Sequence, residues 1–235
     1  MKIADPDQTT LVNEVRLMLE ELPLDRARVL ELGCGRAEKT RTLAESGRVA
    51  EIVALEVDEI QHQRNLAITD LPNVRFCRGG AEAIPVDDAS VDVVLMFKSL
   101  HHVPVASMDR ALAEIARVLR PGGLAWISEP VYAGELNGIM CLFHDEKVVR
   151  EAAFAALRRA VDDGRLTLVR QYFFDTRSFF ENFEQFDQRM IRVTHSNHAL
   201  SPELYAQVQA KFASFLGPEG ATFLNPQRVD LLRKA

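Results

Sequence analysis

The stretch from Val29 to Thr40, VLELGCGRAEKT, restricts this chain more than any other. Val29, Leu30 and Leu32 read as a buried strand, Gly33-Cys34-Gly35 as a sharp turn at its end, and Ala37 to Ala44 as a helix. Strand, glycine turn and helix in that order bring backbone N–H groups and a helix N-terminus to a nucleotide in α/β proteins. Glycine is required because a side chain would hold the ligand off the backbone. A dinucleotide fingerprint asks for a further glycine where this chain has Glu38, and a phosphate-binding P-loop asks for a Gly-Lys-Ser/Thr that is absent. Glu31, two residues before the first glycine, suits a ligand that is cationic there, through an amine or a sulfonium.

The rest of the first half repeats the strand-helix alternation. Leu11, Val15, Met18 and Leu22 recur at helical spacing from Thr9 to Glu21, and Pro23 ends the run. Ile52 to Val57, Val74 to Cys77, Val91 to Phe97 and Leu124 to Ser128 read as strands. A helix from Glu59 to Ile68 and another marked by Leu112, Ile115 and Leu119 lie among them, and Pro121-Gly122-Gly123 is a turn. This pattern predicts a mainly parallel, doubly wound α/β sheet. Beyond Glu129 the rhythm changes: Val148 to Val161 and Pro202 to Phe215 read as helices, Leu166 to Phe174 as a strand. A last strand from Val229 to Leu232 is expected to begin after Pro226, which cannot donate to a ladder.

Several segments resemble the class I S-adenosylmethionine-dependent methyltransferases. Glu31-Leu32-Gly33-Cys34-Gly35-Arg36-Ala37 resembles the family's E/D-x-G-x-G-x-G, with alanine for the third glycine. Gly79-Gly80-Ala81-Glu82-Ala83-Ile84-Pro85 is similar to its G-D-A-E-x-L-P segment, with Gly80 in place of an aspartate that accepts from the adenine amino group. Ser90 to Phe97 resembles its fourth strand, Lys98-Ser99-Leu100-His101-His102-Val103 the loop ending H-H-V, and Arg117 to Gly123 its R-V-L-K/R-P-G-G turn. The resemblance implies a Rossmann-like sheet of seven strands, order 3-2-1-4-5-7-6, with helices on both faces and a helical acceptor region. The chain then reads as one domain over 1–235, with a cofactor core over 1–130 and an acceptor region with sheet completion over 131–235.

The implied cofactor is S-adenosylmethionine, leaving as S-adenosylhomocysteine. Glu56, at the tip of the second strand and about 20 residues past the glycine turn, is placed to take ribose hydroxyls. Glu31, Gly33, Cys34, Gly35, Glu56, Val57, Gln61, Gly80, Ala81, Glu82, Phe97 and Lys98 make up the expected cofactor site. The implied reaction is in-line methyl transfer to a small-molecule acceptor. The alternatives are a cofactor-binding protein of the same fold without methyl transfer, or another transferase using the same cofactor.

A base is needed only if the acceptor carries a proton at working pH. The open ends of strands four and five offer Lys98, Ser99, His101, His102, Glu129 and Tyr132, of which His102 is the candidate base. Polar islands at His144-Asp145-Glu146 and Thr194 to His198 add His144 and His195 as candidates on the acceptor side. His144, Asp145, His195 and His198 match no known metal spacing, so no metal is expected. The aromatic stretch from Tyr172 to Phe186 is expected to be mostly core, with one or two rings lining a pocket.

The chain has 235 residues, 47% of them hydrophobic, and a formal charge of −6, with no dense Lys/Arg run. Nucleic acid is therefore an unexpected partner. Cys34, Cys77 and Cys141 are too widely spaced for a disulfide framework or a CxxC pair. With no hydrophobic leader or spanning stretch, the expectation is a cytoplasmic monomer or homodimer without membrane contact.

Overall fold

The computed structural model describes residues 1–7, 10–193 and 199–235. In chain order its elements are α1 (Glu14–Glu21), β1 (Arg28–Leu32), α2 (Glu38–Glu45), β2 (Glu51–Glu56), α3 (Glu59–Leu66), β3 (Val74–Arg78), β4 (Val91–Phe97), α4 (Met108–Val118), β5 (Leu119–Pro130), α5 (Glu135–Met140), α6 (Lys147–Asp162), β6 (Thr167–Phe180), α7 (Phe183–Phe186), α8 (Pro202–Ala213) and β7 (Ala221–Arg233). The seven strands form one sheet in the order β3-β2-β1-β4-β5-β7-β6. β1 to β5 pair in parallel, and β7 enters antiparallel between β5 and β6.

Both faces of the inner strands are apolar, as expected of parallel strands covered by helices on either side. Leu30, Leu32, Val53, Leu55, Val94 and Met96 point to one face, where they meet Leu112 and Ile115 of α4 and Leu157 of α6. Their alternating neighbours Val29, Ile52, Ala54, Val93 and Leu95 point to the other, against Met18 of α1 and Leu43 of α2. Glu31 shares that second face by the same alternation, which puts a carboxylate beneath α2.

Three expectations from the sequence shift. The first helix begins at Glu14 rather than Thr9: Asn13 caps it, accepting from Arg16 N–H, and Leu11 bridges Asp175 at the edge of β6. The Pro-Gly-Gly turn lies inside β5. Val91 pairs with Leu119 but Val93 with Leu124, so the intervening residues bulge out of register, with Gly122 at φ +76°.

The last two strands are longer than their hydrophobic runs, and β7 passes through Pro226. That proline pairs with Asp175, while its carbonyl accepts from Val131 N–H (2.9 Å), just past the end of β5. Its ring nitrogen therefore faces the side where the neighbouring strand has run out, and no ladder bond is lost.

Because β7 continues past Pro130, the β6–β7 pair projects beyond the carboxyl ends of the parallel strands. Around this arm α5, α7 and α8 build a third apolar cluster, with Phe180, Phe186, Phe212 and Phe223 fully or almost fully buried. The aromatic stretch is thus divided: Tyr172 and Phe174 pack on the face of the sheet, Phe180, Phe183 and Phe186 form the core of a cap over its open end, and Phe179 stays exposed.

Candidate functional site

The glycine turn is wired internally, unlike the open N–H cradle expected from the sequence. Gly33 N–H and Cys34 N–H both donate to the Leu55 carbonyl (2.9 Å each), and Gly35 N–H donates to Glu56 Oε2 (2.8 Å). Donors committed in this way are not available to a phosphate, which agrees with the missing P-loop signature. Gly33 has φ +75°, and a Cβ there would come within 2.8 Å of the Ser99 Cβ. Only glycine fits. Ala37 takes the same left-handed region (φ +59°) at the cap of α2, at a cost of roughly 1 kcal/mol for an L-residue.

Glu56 is buried at the tip of β2. Besides Gly35, its Oε1 accepts from Val57 N–H (2.8 Å) and Asp58 N–H (2.9 Å). Three donors leave capacity on Oε2 for one more, and they also make Glu56 a structural tie between β2 and the turn. Asn65 of α3, which the sequence did not single out, donates to Gly35 O (2.8 Å) and is itself held by Gln61 (2.8 Å). Gln61 thus packs against the turn, and Val57 stands out beside it, 62% exposed.

Glu31 lies under the turn with the Thr40 hydroxyl donating to Oε2 (2.6 Å). Burial raises its carboxyl to about 7 against the pull of Thr40 and Lys39. The Cys34 thiol is pushed well above its usual range, first by burial and then by Glu31 and Glu56, so it stays protonated.

Gly80 follows β3, with Ala81 buried beside it. The Glu82 side chain folds back over this glycine, its Oε1 2.6 Å from where a Cβ on Gly80 would stand. The carboxylate missing at Gly80 is replaced in space by the one two residues later. Arg117 fixes the loop, donating to the Ile84 (2.9 Å) and Val86 (3.0 Å) carbonyls and pairing with Glu114 and Asp88.

At the ends of β4 and β5 the two histidines separate. In the tight turn Leu100–His102, His101 points inward and is buried, whereas His102 is exposed. His101 Nδ1 is 2.6 Å from Glu129 Oε2, and Nε2 is 3.5 Å from Glu146 Oε1. Burial opposes its charge, but Glu129 and then Glu146 outweigh burial and lift the imidazole to about 9. His101 is therefore an imidazolium at neutral pH and cannot accept a proton. Glu146 also pairs with Arg150 (2.6 Å) and His144 (3.0 Å); burial would raise its carboxyl, but His101 and Arg150 hold it well below the usual range. His144 is thereby joined to this cluster, while His195 and His198 lie outside the described residues.

His101, His102 and Glu146 bring ligand-capable atoms within 4.8 Å of one another. Phe97 is half-buried beneath the Lys39 ammonium (3.9 Å to the ring centroid). Lys98, next to it, is exposed at its solvent side, while the protein around its base and then Lys39 lower its pKa. Among the described residues no helix is long and apolar enough to cross a membrane.

Comparison with known proteins agrees with this geometry. Residues 29–123 match the family described as methyltransferase domain. An uncharacterized methyltransferase of Mycobacterium tuberculosis is 44% identical over 108 residues, which cover 45% of this chain and 42% of the relative. The phthiotriol/phenolphthiotriol dimycocerosates methyltransferase of the same organism is 32% identical over 123 residues, covering 52% of this chain and 45% of the relative. This chain thus matches less than half the length of either relative. Among solved structures, a putative methyltransferase from Bacillus halodurans superposes with a TM-score of 0.65 at 16% identity, covering 94% of this chain and 98% of the other. Residues 29–123 thus match the methyltransferase-domain family, within a chain that shares its seven-stranded fold with that solved structure.

Proposed function

We propose that the chain binds S-adenosylmethionine at the carboxyl ends of β1, β2 and β4 and transfers its methyl group to a small-molecule acceptor held under the cap. The observation that carries this reading is the glycine turn itself. Its N–H donors are committed within the protein, and carboxylates rather than cations stand beneath and beside it, which suits a ligand with hydroxyls and positive charge. The residues present fit that cofactor: the space where a Cβ on Gly35 would stand is open, and Glu56 keeps one free acceptor position for a ribose hydroxyl. Glu82 stands in for the side chain absent at Gly80 and accepts from the adenine amino group, with Ala81 and Val57 against the ring.

Bound there, the cofactor supplies a methyl group already activated by its sulfonium. The protein's part is to align and enclose the reactants. His101 acts as a fixed cation that ties the loop after β4 to α6 through Glu129 and Glu146. His102, at the mouth of the cleft, receives a proton where the acceptor carries one, and His144 orients the acceptor from the cap side. The acceptor named for the mycobacterial relative is not carried over, since the matched stretch covers only about half of this chain.

Calorimetry with S-adenosylmethionine, followed by labelled-methyl incorporation in a fractionated cell extract, tests the reading. Binding below millimolar ligand with label in a small product is expected. No binding at millimolar ligand overturns it, and tight binding without any incorporation favours a cofactor-binding protein that does not transfer methyl.

A further inference from the structure

At the ends of β4 and β5, metal-ligating side chains converge from two separate elements. His101 and His102 belong to the turn after β4, and Glu146 stands at the cap position of α6. One ligand atom from each lies within 4.8 Å of the other two. None of the three belongs to the set from which the sequence predicted no metal, which was His144, Asp145, His195 and His198.

The distances around His101 are unequal. Its Nδ1 closes on Glu129 Oε2 to 2.6 Å, the length of a charge-assisted hydrogen bond. Its Nε2 stands 3.5 Å from Glu146 Oε1 across a carboxylate-to-ring gap of the same kind. A four-coordinate cation with bonds of about 2.0–2.1 Å separates its ligand atoms by about 3.4 Å, so the wider gap has the size of a ligand-to-ligand edge. His102 is exposed, with its ring centroid 4.1 Å from that of His101. The opposite side of His101 has the matching support. A metal-binding histidine donates its other ring N–H to a carboxylate, which fixes the ring and raises its basicity. Glu129 takes that place here, and its own Oε1 is anchored by Leu100 N–H (3.0 Å). Arg150 anchors Glu146 in turn through Oε2 (2.6 Å), which leaves Oε1 toward the histidines as a one-oxygen ligand.

We infer that His101 Nε2, His102 and Glu146 Oε1 bind one divalent cation of the zinc class. Two imidazoles and one carboxylate suit such an ion, whereas magnesium and calcium take oxygen ligands. Three protein ligands leave a coordination position open, as in zinc sites that meet a substrate. In the metal-free protein a proton on Nε2 takes the cation's place, and His101 is the imidazolium described above. In the loaded protein both histidines are neutral ligands, and the base role of His102 belongs to the metal-free form alone. The site shares no residue with the proposed cofactor site, so neither depends on the other.

Calorimetric titration of chelator-treated protein, without a histidine tag, with zinc chloride tests the site. One equivalent is expected per chain, with a Kd of about 1 µM or tighter. Glu129→Gln keeps all three ligands and weakens zinc binding by about 10- to 100-fold. His102→Ala and Glu146→Gln weaken it further. His102→Ala changes an exposed side chain and decides alone should either other variant fail to melt cooperatively. Three results each overturn the inference: no stoichiometric zinc binding by the wild type, equal affinity for magnesium chloride, or zinc affinity in His102→Ala within about twofold of wild type. S-adenosylhomocysteine titrated into the same metal-free protein keeps the two readings apart. Binding of it without zinc binding removes the metal site alone; zinc binding without it supports the metal site and overturns the cofactor reading.

Discussion

Glu31 shows how one buried group couples protonation to binding. Its carboxyl is raised from 4.5 to about 7, chiefly by burial, so the folded protein favours the protonated form. The stability this gives is complete below pH 4.5 and is lost as pH rises through about 7. A cation arriving beside Glu31 favours the carboxylate and must expel the proton. Cofactor affinity should therefore rise between pH 5 and 7, with about one proton released per cofactor bound near pH 6. Calorimetry in buffers of differing ionisation heat measures that proton, and Glu31→Gln should abolish it. Glu31 was legible in the sequence because its spacing from Gly33 is local. Asn65 was not, since its bond to Gly35 depends on a helix that meets the turn only in the folded chain. The sequence singled out His102 as candidate base but assigned no role to His101; a single tight turn buries His101 against Glu129 and exposes His102.

For whole elements, the parallel strands were readable because each is a short apolar run with a helix on either side of it. The end of the sheet was less so: β6 and β7 continue into the cap with mixed polar and aromatic residues, and a proline inside β7 argued against its true length. The Arg117 turn was recognised as a motif, but its purpose appears only in three dimensions. The guanidinium fastens α4 to the loop from Gly79 to Asp88 through two backbone carbonyls and the Asp88 carboxylate, while Glu114 of α4 accepts from both Arg117 and Ile84 N–H. Arg117→Ala should lower stability by about 2 kcal/mol, the range for hydrogen bonds to a charged group. Amide exchange should quicken at Ile84 to Asp88, while the β1 and β4 amides keep their protection. Equal loss of protection in the central strands would mean that Arg117 supports the whole sheet rather than this loop.

In the whole molecule, two apolar clusters on the faces of the sheet are distinct from the third one in the cap. Phe212 lies at the middle of the cap cluster, fully buried, with ring centroids 4.9 Å from Phe186, 5.6 Å from Phe183, 6.0 Å from Phe223 and 6.1 Å from Phe180. Phe212→Ala removes this hub and should cost about 3–5 kcal/mol of packing, most of it local to α7, α8 and the ends of β6 and β7. The residues of the proposed cofactor site depend instead on β1, β2, β4 and the turns after them. Cofactor affinity should then stay within about twofold of wild type, a difference below 0.5 kcal/mol. Turnover should fall steeply, because the acceptor loses its enclosing wall while its methyl donor remains bound. Hydrogen exchange would show lost protection in α8 and at the tip of the β6–β7 arm, with the inner strands unchanged. If cofactor affinity falls in step with turnover, the two halves are not energetically separable. The cap would then be part of the cofactor site itself, and acceptor selection would have to come from the loops after β4 and β5.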